Sequence, residues 1–409
     1  MKERIFINMH YMELGGAERA LLGLLNAIDT NRVEVDLFLN QHTGDFMPLI
    51  PKKINLLPEL RGYNAIERPL KDVLLEGQWR VALDRLRAKR EHARYHRSLS
   101  GDKKPLDSSV FQLVMDRVVP HLKSLDSLGC YDLAISFLQP HNIVLDKVRA
   151  KKKICWIHTD YSTVHINVEQ ELRVWQQYDH IISISDDCTR AFVNTFPSLA
   201  PKIVKIENIL SPAFVRGQAR LTATPELDAC EGVKIVSVGR ICHAKNYDNV
   251  PLVAQMLKER GLKFCWFIVG PGSHESIDRL IEETGTSDCI RFLGVKSSPY
   301  PYIKACDLYV QPSRYEGKSV TVREAQMLGK PVVVTNYPTA SSQVRDGEDG
   351  IICPMSNEGI AQAIWELAHD VAKQNALSHY CLSHDYGNEA EVHKIYQLIS
   401  TDLVLKKVN

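Results

Sequence analysis

The sequence predicts an α/β protein built from two open parallel sheets. Short β-branched and aromatic runs alternate with helical patterns along the chain, which is typical of parallel sheets covered by helices. The runs form two series separated by a proline-containing polar stretch, and 409 residues suffice for two or three domains. Ligands of such sheets bind beyond the carboxyl ends of the strands, so we expect the site in a cleft between two domains.

The two series of strands define two predicted domains. In the N-terminal domain, residues 1–212, strands are predicted at 4–8, 33–39, 133–136, 154–157, 180–184 and 204–208. A linker is predicted over 213–230. In the C-terminal domain, residues 231–385, strands are predicted at 233–238, 264–269, 290–293, 308–310 and 331–334. The final segment, 386–409, is predicted to be a helix that packs back on the N-terminal domain.

The composition gives no support to several classes of protein. The hydrophobic fraction of 44% and charged fraction of 24% are ordinary for a globular enzyme, and a net charge of +1 provides no general attraction to nucleic acid. No apolar run approaches 18 residues, and the first residues lack the apolar core of a signal peptide, so we expect a cytoplasmic protein. The ten cysteines include no Cys-x-x-Cys pair, which argues against zinc and redox centres.

The stretch from Ser313 to Val334 carries the strongest chemical signal. Glu316 and Glu324 stand eight positions apart, and Gly317–Val320 between them turns from a loop into a helix start. Free N–H groups and the positive end of a helix suit phosphates, while carboxylates accept hydrogen bonds from sugar hydroxyls. Helical rise keeps the carboxylates roughly 8–12 Å apart, the reach of a sugar diphosphate. An ordinary solvated helix start would show the same pattern.

A second signal follows the first strand of the C-terminal series. Gly239 and Arg240 end the strand, and Lys245 comes five residues after the arginine. A guanidinium that grips two oxygens and a mobile ammonium together suit a diphosphate. Ordinary surface charge is the alternative.

Several glycine turns and one histidine occupy predicted strand ends. Gly15 and Gly16 lie between the first strand and a helix, where a backbone can approach an anion. Gly270 and Gly272 follow one strand, and a glycine turn follows Phe292 and Leu293 on the next, where backbone groups can border a nucleobase. Each is equally explained as a plain turn. His158 ends a strand of the first domain, where a cleft-facing role competes with an ordinary core or surface histidine.

Metal chemistry has no support in the sequence. It contains no Asp-x-Asp triplet and no clustered metal-ligand spacing. We therefore expect no metal, and the charge of a leaving group would be neutralised by Arg240, Lys245 and helix dipoles.

One segment, 80–104, is strongly basic. It contains nine Lys and Arg residues against three acids, and its apolar residues are sparse. A basic helix of this kind can lie on an anionic membrane surface. A solvated helix face or a mobile insertion would have the same composition.

Taken together, these motifs resemble those of retaining glycosyltransferases of family 4, the bacterial group 1 class. The similarity is strongest from 233 to 369 and looser in the first domain, and it rests on Gly15-Gly16, His158, Ser183-Ile-Ser185, Ile206-Glu-Asn208, Gly239-Arg240 with Lys245, Gly270-Pro-Gly272 and Glu316-x7-Glu324. It implies the GT-B fold, two Rossmann-like doubly wound domains facing across a cleft, with a nucleotide-sugar donor held mostly by the second domain.

The resemblance also implies roles for single residues. Arg240 and Lys245 would hold the diphosphate, and Glu324 the ribose hydroxyls. Glu316 and the backbone from Gly317 through Lys318 and Ser319 to Val320 would contact the donor sugar and phosphates. The Gly15-Gly16 loop would close over the diphosphate, and His158 would touch the donor sugar or orient the acceptor. Lys318-Ser319 departs from the Phe or Leu often found after Glu-Gly in this family, which leaves the donor sugar open.

The resulting expectation is a retaining, metal-independent hexosyltransferase of surface polysaccharide biosynthesis. It would use no cofactor, take a UDP-sugar in preference to a GDP-sugar, and transfer to a glycan or lipid-linked acceptor, in the cytoplasm or on the inner face of the cell membrane. One alternative is a nucleotide-sugar epimerase of the same fold, although no clear proton-abstracting pair is evident for it. Another is a non-catalytic sugar-nucleotide-binding protein, against which the complete Arg/Lys and Glu/Glu set argues.

Overall fold

The fold was analysed on a computed structural model. It describes residues 2–13, 15–98, 106–107, 109–159, 161–162, 164–316 and 319–400. The strands are β1 (Glu3–Met9), β2 (Val33–Leu39), β3 (Asn55–Leu56), β4 (Leu106–Asp107), β5 (Tyr131–Ser136), β6 (Ala150–Ile157), β7 (Val164–His165), β8 (His180–Ser183), β9 (Ile203–Lys205), β10 (Val233–Val238), β11 (Phe264–Val269), β12 (Ile290–Gly294), β13 (Leu308–Gln311), β14 (Val332–Thr335) and β15 (Ile351–Cys353).

Helices alternate with these strands. They are α1 (Gly16–Ala27), α2 (Leu70–Leu75), α3 (Trp79–Ser98), α4 (Ser109–Val118), α5 (Asn142–Lys147), α6 (Val168–Trp175), α7 (Asp186–Thr195), α8 (Pro212–Gln218), α9 (Pro225–Asp228), α10 (Val250–Glu259), α11 (Glu275–Glu283), α12 (Tyr300–Ala305), α13 (Val320–Met327), α14 (Asn357–His369), α15 (Val371–Ser383) and α16 (Val392–Ser400). None of the helices in the described part of the chain is both long enough and apolar enough to cross a membrane.

The chain divides into two compact units. Unit 1 comprises Met1–Ile209 and Asn388–Asn409, and unit 2 comprises Leu210–Gly387. Within unit 1, α16 contacts the segment after α1, since the Asp29 N–H donates to the Tyr396 hydroxyl at 2.8 Å and Arg32 lies over the Tyr396 ring. Residues 401–409 of the predicted C-terminal helix lie outside the described residues.

Each unit contains an open sheet in which all neighbouring strands are parallel. The order in unit 1 is β3-β2-β1-β5-β6-β8-β9, and in unit 2 it is β12-β11-β10-β13-β14-β15; β4 and β7 form a separate pair. Both faces of the unit 2 sheet are buried. Successive residues of β10 and β11 alternate between two apolar clusters, with Ile235 and Trp266 on one face and Val236 and Phe267 on the other. Burial of both faces explains the continuous apolar runs in the sequence.

The stretch 213–230 differs from the predicted linker. It lies within unit 2 and contains most of α8 and all of α9. Each helix has a proline in its first turn, where the missing N–H costs nothing, and each buries an apolar side chain, Val215 or Leu227. The prolines that suggested a linker therefore mark helix starts.

Candidate functional site

The strand order of unit 2 places two predicted segments side by side. The strands β11 and β12 extend to one side of β10, whereas β14 and β15 extend to the other side of β13. Connections after β10 and β13 therefore diverge and leave a crevice at their carboxyl ends. Gly239–Lys245 follows β10 and Ser313–Glu316 follows β13, so the two strongest sequence signals meet there.

An ion pair joins these two segments. Lys245 Nζ lies 2.6 Å from Glu316 Oε1, and the two side chains are only 18% and 12% exposed. Ser313 Oγ and Gln311 Nε2 donate to the same oxygen at 2.7 and 3.2 Å. No described residue donates a hydrogen bond to Glu316 Oε2. One carboxylate oxygen is thus satisfied by three donors, and the other is left for a further donor.

A second pair fixes the two loops against each other. The Arg314 guanidinium makes two hydrogen bonds to the Asp248 carboxylate, at 2.8 and 2.6 Å, and the Arg314 N–H donates to the Ala244 carbonyl at 2.8 Å. The hydrogen bonds from Arg314 lower the pKa of Asp248. Asn246 adopts a left-handed conformation, with φ of 60°, and its side chain donates to the Pro312 carbonyl. Both anchors lie within three residues of Lys245 and hold its backbone.

Gly239 leaves room for the lysine side chain. A Cβ at this position would lie 2.9 Å from Lys245 Cε and 3.1 Å from the Tyr247 hydroxyl. Tyr247 is buried beneath the site, and burial, followed by the charge of Glu316, raises its pKa. Arg240 is exposed and makes no hydrogen bond or ion pair with any described residue. Its guanidinium is available to an external anion.

The predicted glycine turns form one backbone layer. The N–H groups of Gly239, Ile241 and Gly270 donate to the carbonyls of Val269, Pro271 and Gly294, at 2.9, 2.8 and 2.9 Å. Gly270 has a φ of +151°, and a Cβ there would lie 2.1 Å from the Gly239 carbonyl oxygen. Loops that pack backbone against backbone at this distance require glycine.

The remaining residues predicted to border a nucleobase are Gly272, Phe292 and Leu293. Gly272 has a φ of +128° and packs on Ile241. Phe292 and Leu293 are half-buried on β12, and the Phe292 ring stacks on His274 with a centroid distance of 4.3 Å. A base contact through Phe292 stays a prediction.

The start of α13 lies beside the end of β10. Thr321 Oγ1 lies 3.4 Å from the Val238 carbonyl oxygen, and Val320 is half-buried. Ser319 is buried, and its N–H donates to Gln343 Oε1 at 3.0 Å. That N–H therefore already has an acceptor, unlike the free group predicted from the sequence. Gly317 and Lys318 lie outside the described residues.

Glu324 occupies the buried side of α13. Its side chain has no exposed surface, and its Oε1 accepts a hydrogen bond from the Tyr300 hydroxyl at 2.8 Å. Glu324 thus lies eight positions after Glu316 but in a different environment. The contact of Glu324 with ribose hydroxyls stays a prediction.

In unit 1, the structure brings His158 together with two further histidines. His158, His10 and His141 follow the neighbouring strands β6, β1 and β5, and the Nε2 atom of each is buried without a hydrogen-bond partner. His158 as a whole residue is half-buried, but its Nε2 atom is fully buried. Burial therefore lowers the pKa of the His158 imidazole from its usual value to about 4. Burial, followed by the charges of the other two histidines, holds the pKa of His141 well below its usual value. The rings of His158 and His141 are therefore neutral at pH 7.

The glycine pair of unit 1 has a local explanation. Gly15 precedes α1, and the space of its Cβ is taken by the Glu18 carboxylate, since Oε2 would lie only 2.1 Å from it. Burial raises the pKa of Glu18. Gly16 has open space around its Cβ position. The predicted closure of this loop over a diphosphate stays a prediction.

The sequence analysis assigned no role to Gln311, Ser313 or the Arg314–Asp248 pair in unit 2, or to His10 and His141 in unit 1. Gln311 ends β13 and Ser313 follows it, while His10 directly follows β1. The rule that sites lie beyond strand carboxyl ends would have selected these three. The Arg314–Asp248 pair joins residues 66 positions apart and leaves no local pattern.

Residues 229–382 match the family model described as glycosyl transferases group 1. The lipopolysaccharide core biosynthesis glycosyltransferase LpsE of Rhizobium meliloti is 25% identical over 171 residues, which cover 41% of this chain and 49% of LpsE. The putative glycosyltransferase EpsF of Bacillus subtilis is 31% identical over 113 residues, covering 27% of this chain and 29% of EpsF. The chain thus spans about half or less of the length of these curated relatives.

Solved structures share the fold over almost the whole chain. Anabaena Alr3699/HepE, in complex with UDP and glucose, superposes with a TM-score of 0.64 at 15% identity and covers 98% of this chain and 100% of its own. A mutant of S. aureus TarM, in complex with fondaparinux, alpha-GlcNAc-glycerol and UDP, gives 0.64 at 13% identity, with 98% and 100% covered. These similarities confirm the predicted α/β fold class, GT-B.

Proposed function

We propose that this chain, whose residues 229–382 match the group 1 glycosyltransferase family model, transfers a hexose from a nucleoside-diphosphate sugar to a glycan or lipid-linked acceptor in surface polysaccharide biosynthesis. The transfer would retain the anomeric configuration and require neither a metal nor a cofactor. Unit 2 would hold the donor at the carboxyl ends of β10 and β13.

The main support for this proposal is the position of Lys245 and Glu316 in one crevice, with the exposed Arg240 on the same loop as Lys245. Lys245 and Arg240 supply two cations for the charge that develops on a departing diphosphate. Glu316 holds Lys245 through Oε1, while Oε2 can accept a hydrogen bond from a sugar hydroxyl. Cation and acceptor would thus contact the two halves of one donor molecule.

The proposed chemistry is a substitution on one face of the sugar. The bond between C1 and the phosphate oxygen breaks while the acceptor oxygen bonds to C1 from the same side, and the acceptor proton passes to the departing phosphate. Fixed cations lower the barrier because they stabilise the leaving group without reorganising. This role for Arg240 and Lys245 supports a reaction that proceeds without a metal.

The similar proteins support the choice of donor and acceptor class. Both HepE and TarM were solved with UDP, which favours a uridine donor. LpsE is named for lipopolysaccharide core biosynthesis, which favours a surface glycan as the product.

Substitution of Lys245 provides the direct test. In a radiolabelled transfer assay with UDP-sugars and membrane or glycan acceptors, Lys245→Ala should lower kcat by about 10²–10³-fold, the usual effect of losing one fixed electrostatic stabiliser. Lys304→Ala is the matched control, because Lys304 is an exposed lysine of the same unit, on α12. The control variant should transfer at the wild-type rate, and EDTA should not change either rate.

Three outcomes would contradict the proposal. Equal transfer by Lys245→Ala and wild type would remove Lys245 from the site. Conversion of free UDP-sugar into its epimer without acceptor would indicate the epimerase. Tight UDP-sugar binding without turnover across the acceptor panel would indicate a binding protein.

A further inference from the structure

A corner of unit 1 exposes large apolar side chains. Leu74 and Leu75 end α2, and Trp79, Leu83 and Leu86 lie on the outer side of α3; Leu75 is 77% exposed and Trp79 is 66% exposed. On α3 they are spaced four and three residues apart and so follow one another along one side of the helix. A cluster of this size marks an interaction surface.

The rest of the outer side of α3 is cationic. Arg80, Arg87, Lys89, Arg90, Arg94 and Arg97 are exposed. The two acids between residues 79 and 97 are turned away or neutralised, since Asp84 is buried and Glu91 pairs with Arg117. We call this face, from Leu74 to Arg97, the α2–α3 surface. At 1.5 Å per residue α3 is about 30 Å long. Steps of three and four residues lead from Trp79, Leu83 and Leu86 to Arg90, Arg94 and Arg97, so the apolar and cationic parts follow one another along one side of the helix.

A cavity opens next to Trp79. Its volume is about 350 Å³, within the usual range for small-ligand sites. Arg61, Arg80 and Lys123 line it with a single acid, Asp84, which already contacts Arg87. Arg80 donates to His121 Nδ1 at 3.0 Å, which fixes its guanidinium at the wall. Three cations against one acid favour an anionic group in this cavity.

We propose that the α2–α3 surface docks on an anionic phospholipid bilayer, with Leu75 and Trp79 in the interface and a lipid phosphate in the cavity. Interfacial binding requires an apolar part and cations on the same face, and Trp prefers the headgroup level. A symmetric pairing of two copies through this surface would bring like charges together, which argues against self-association.

Tryptophan fluorescence tests the proposal on the full chain, without donor or acceptor, so that its outcome is independent of the proposed transfer. Of the five tryptophans, Trp156, Trp175 and Trp266 are buried and Trp365 is half-buried. Vesicles of phosphatidylcholine that contain about 30% of the anionic lipid phosphatidylglycerol should shift the tryptophan emission to the blue. Vesicles of pure phosphatidylcholine should not. Trp79→Phe should bind but show no shift.

Vesicle flotation measures the contributions of charge and apolar contact. The double variant Arg90→Glu, Arg94→Glu should weaken binding at least about 25-fold, because each cation near an anionic surface contributes about fivefold. Leu75→Ser should also weaken it, whereas Leu221→Ser, at a 68% exposed leucine of unit 2, should not. The control for the double charge reversal is Lys304→Glu with Lys373→Glu, at two exposed lysines of unit 2, which should bind vesicles as the wild type does.

Each contrary result would overturn the proposal. Equal binding to both vesicle types, or wild-type binding by the double variant, would remove the role of charge. A blue shift without vesicles that follows a doubling of mass in light scattering would assign the surface to a second copy. Binding of an acidic peptide to the α2–α3 surface, together with no binding to vesicles, would assign the surface to a protein partner.

Discussion

At the scale of single residues, Glu316 shows what a sequence can and cannot reveal. Its acidity and that of Glu324 are visible in the sequence, as are the charges of Arg240 and Lys245. The pairing of Glu316 with Lys245 joins positions 71 residues apart and depends on where β10 and β13 end. Burial of Glu324 against Tyr300 likewise depends on which side of α13 faces the core. Charge is therefore predictable here, but the environment of each charge is not.

The buried imidazole of His158 should make unit 1 sensitive to acid. Its pKa is lowered by burial to about 4, whereas an unfolded histidine titrates near 6.5. As the pH falls, the unfolded state therefore takes up the proton first. The contribution of His158 to the free energy of unfolding is fully present above about pH 6.5 and is lost as the pH falls towards 4. Between pH 8 and pH 5 the loss should be about 2 kcal/mol.

Urea denaturation at pH 8 and pH 5 measures this loss, with the unfolding of unit 1 followed by amide exchange of β5 and β6. His158→Gln keeps a polar side chain that does not titrate, and its stability should fall by about 2 kcal/mol less than that of the wild type over this range. His393→Gln is the control, because it replaces another histidine of unit 1 that is exposed on α16. If His158→Gln and wild type lose stability equally, the ring is not buried in solution.

At the scale of elements, the regular strands could be predicted and the shortest could not. The predicted bounds of β2, β10 and β11 equal the observed ones. By contrast β3, with two residues, and β15, with three, are too short to show alternation and were not predicted. They exist because a neighbouring parallel strand supplies their hydrogen-bond partners. Local patterns thus identify an element only when it is long enough to have a period.

The loops after β10 and β11 should respond to a single methyl group. In Gly270→Ala the new Cβ would lie 2.1 Å from the Gly239 carbonyl oxygen, so the β10 loop that carries Lys245 must shift. We expect a loss of about 1–3 kcal/mol in stability, as for other strained backbone positions, together with weaker UDP binding in calorimetry.

Gly285→Ala separates strain from displacement. Gly285 also has a positive φ, +62°, but nothing lies within 4 Å of its Cβ position. This variant should lose about 1 kcal/mol of stability, from the left-handed backbone alone, and bind UDP as the wild type does. Equal UDP affinity in both variants would show that the β10 loop tolerates the shift.

At the scale of the whole molecule, the two units repeat one architecture with different chemistry. Each sheet is parallel, and the order in which its strands are added reverses next to its first strand, between β1 and β5 in unit 1 and between β10 and β13 in unit 2. Beyond the carboxyl ends of these strands lie the buried His10 and His141 in unit 1, and the Lys245–Glu316 pair with the exposed Arg240 in unit 2. Charge for an anionic ligand is therefore concentrated at the crevice of unit 2.

This difference predicts that UDP stabilises one unit rather than both. A ligand at 100 times its dissociation constant stabilises the folded form by about 2.7 kcal/mol. If the donor binds at the β10–β13 crevice, amides of β10, β11 and β13 that exchange by opening of unit 2 should slow by about 100-fold. Hydrogen exchange measured by mass spectrometry, with and without UDP, should show this change, while amides of β1, β5 and β6 keep their rates. Lys245→Ala at the same UDP concentration should remove the protection, and equal protection of both sheets would refute a donor site confined to unit 2.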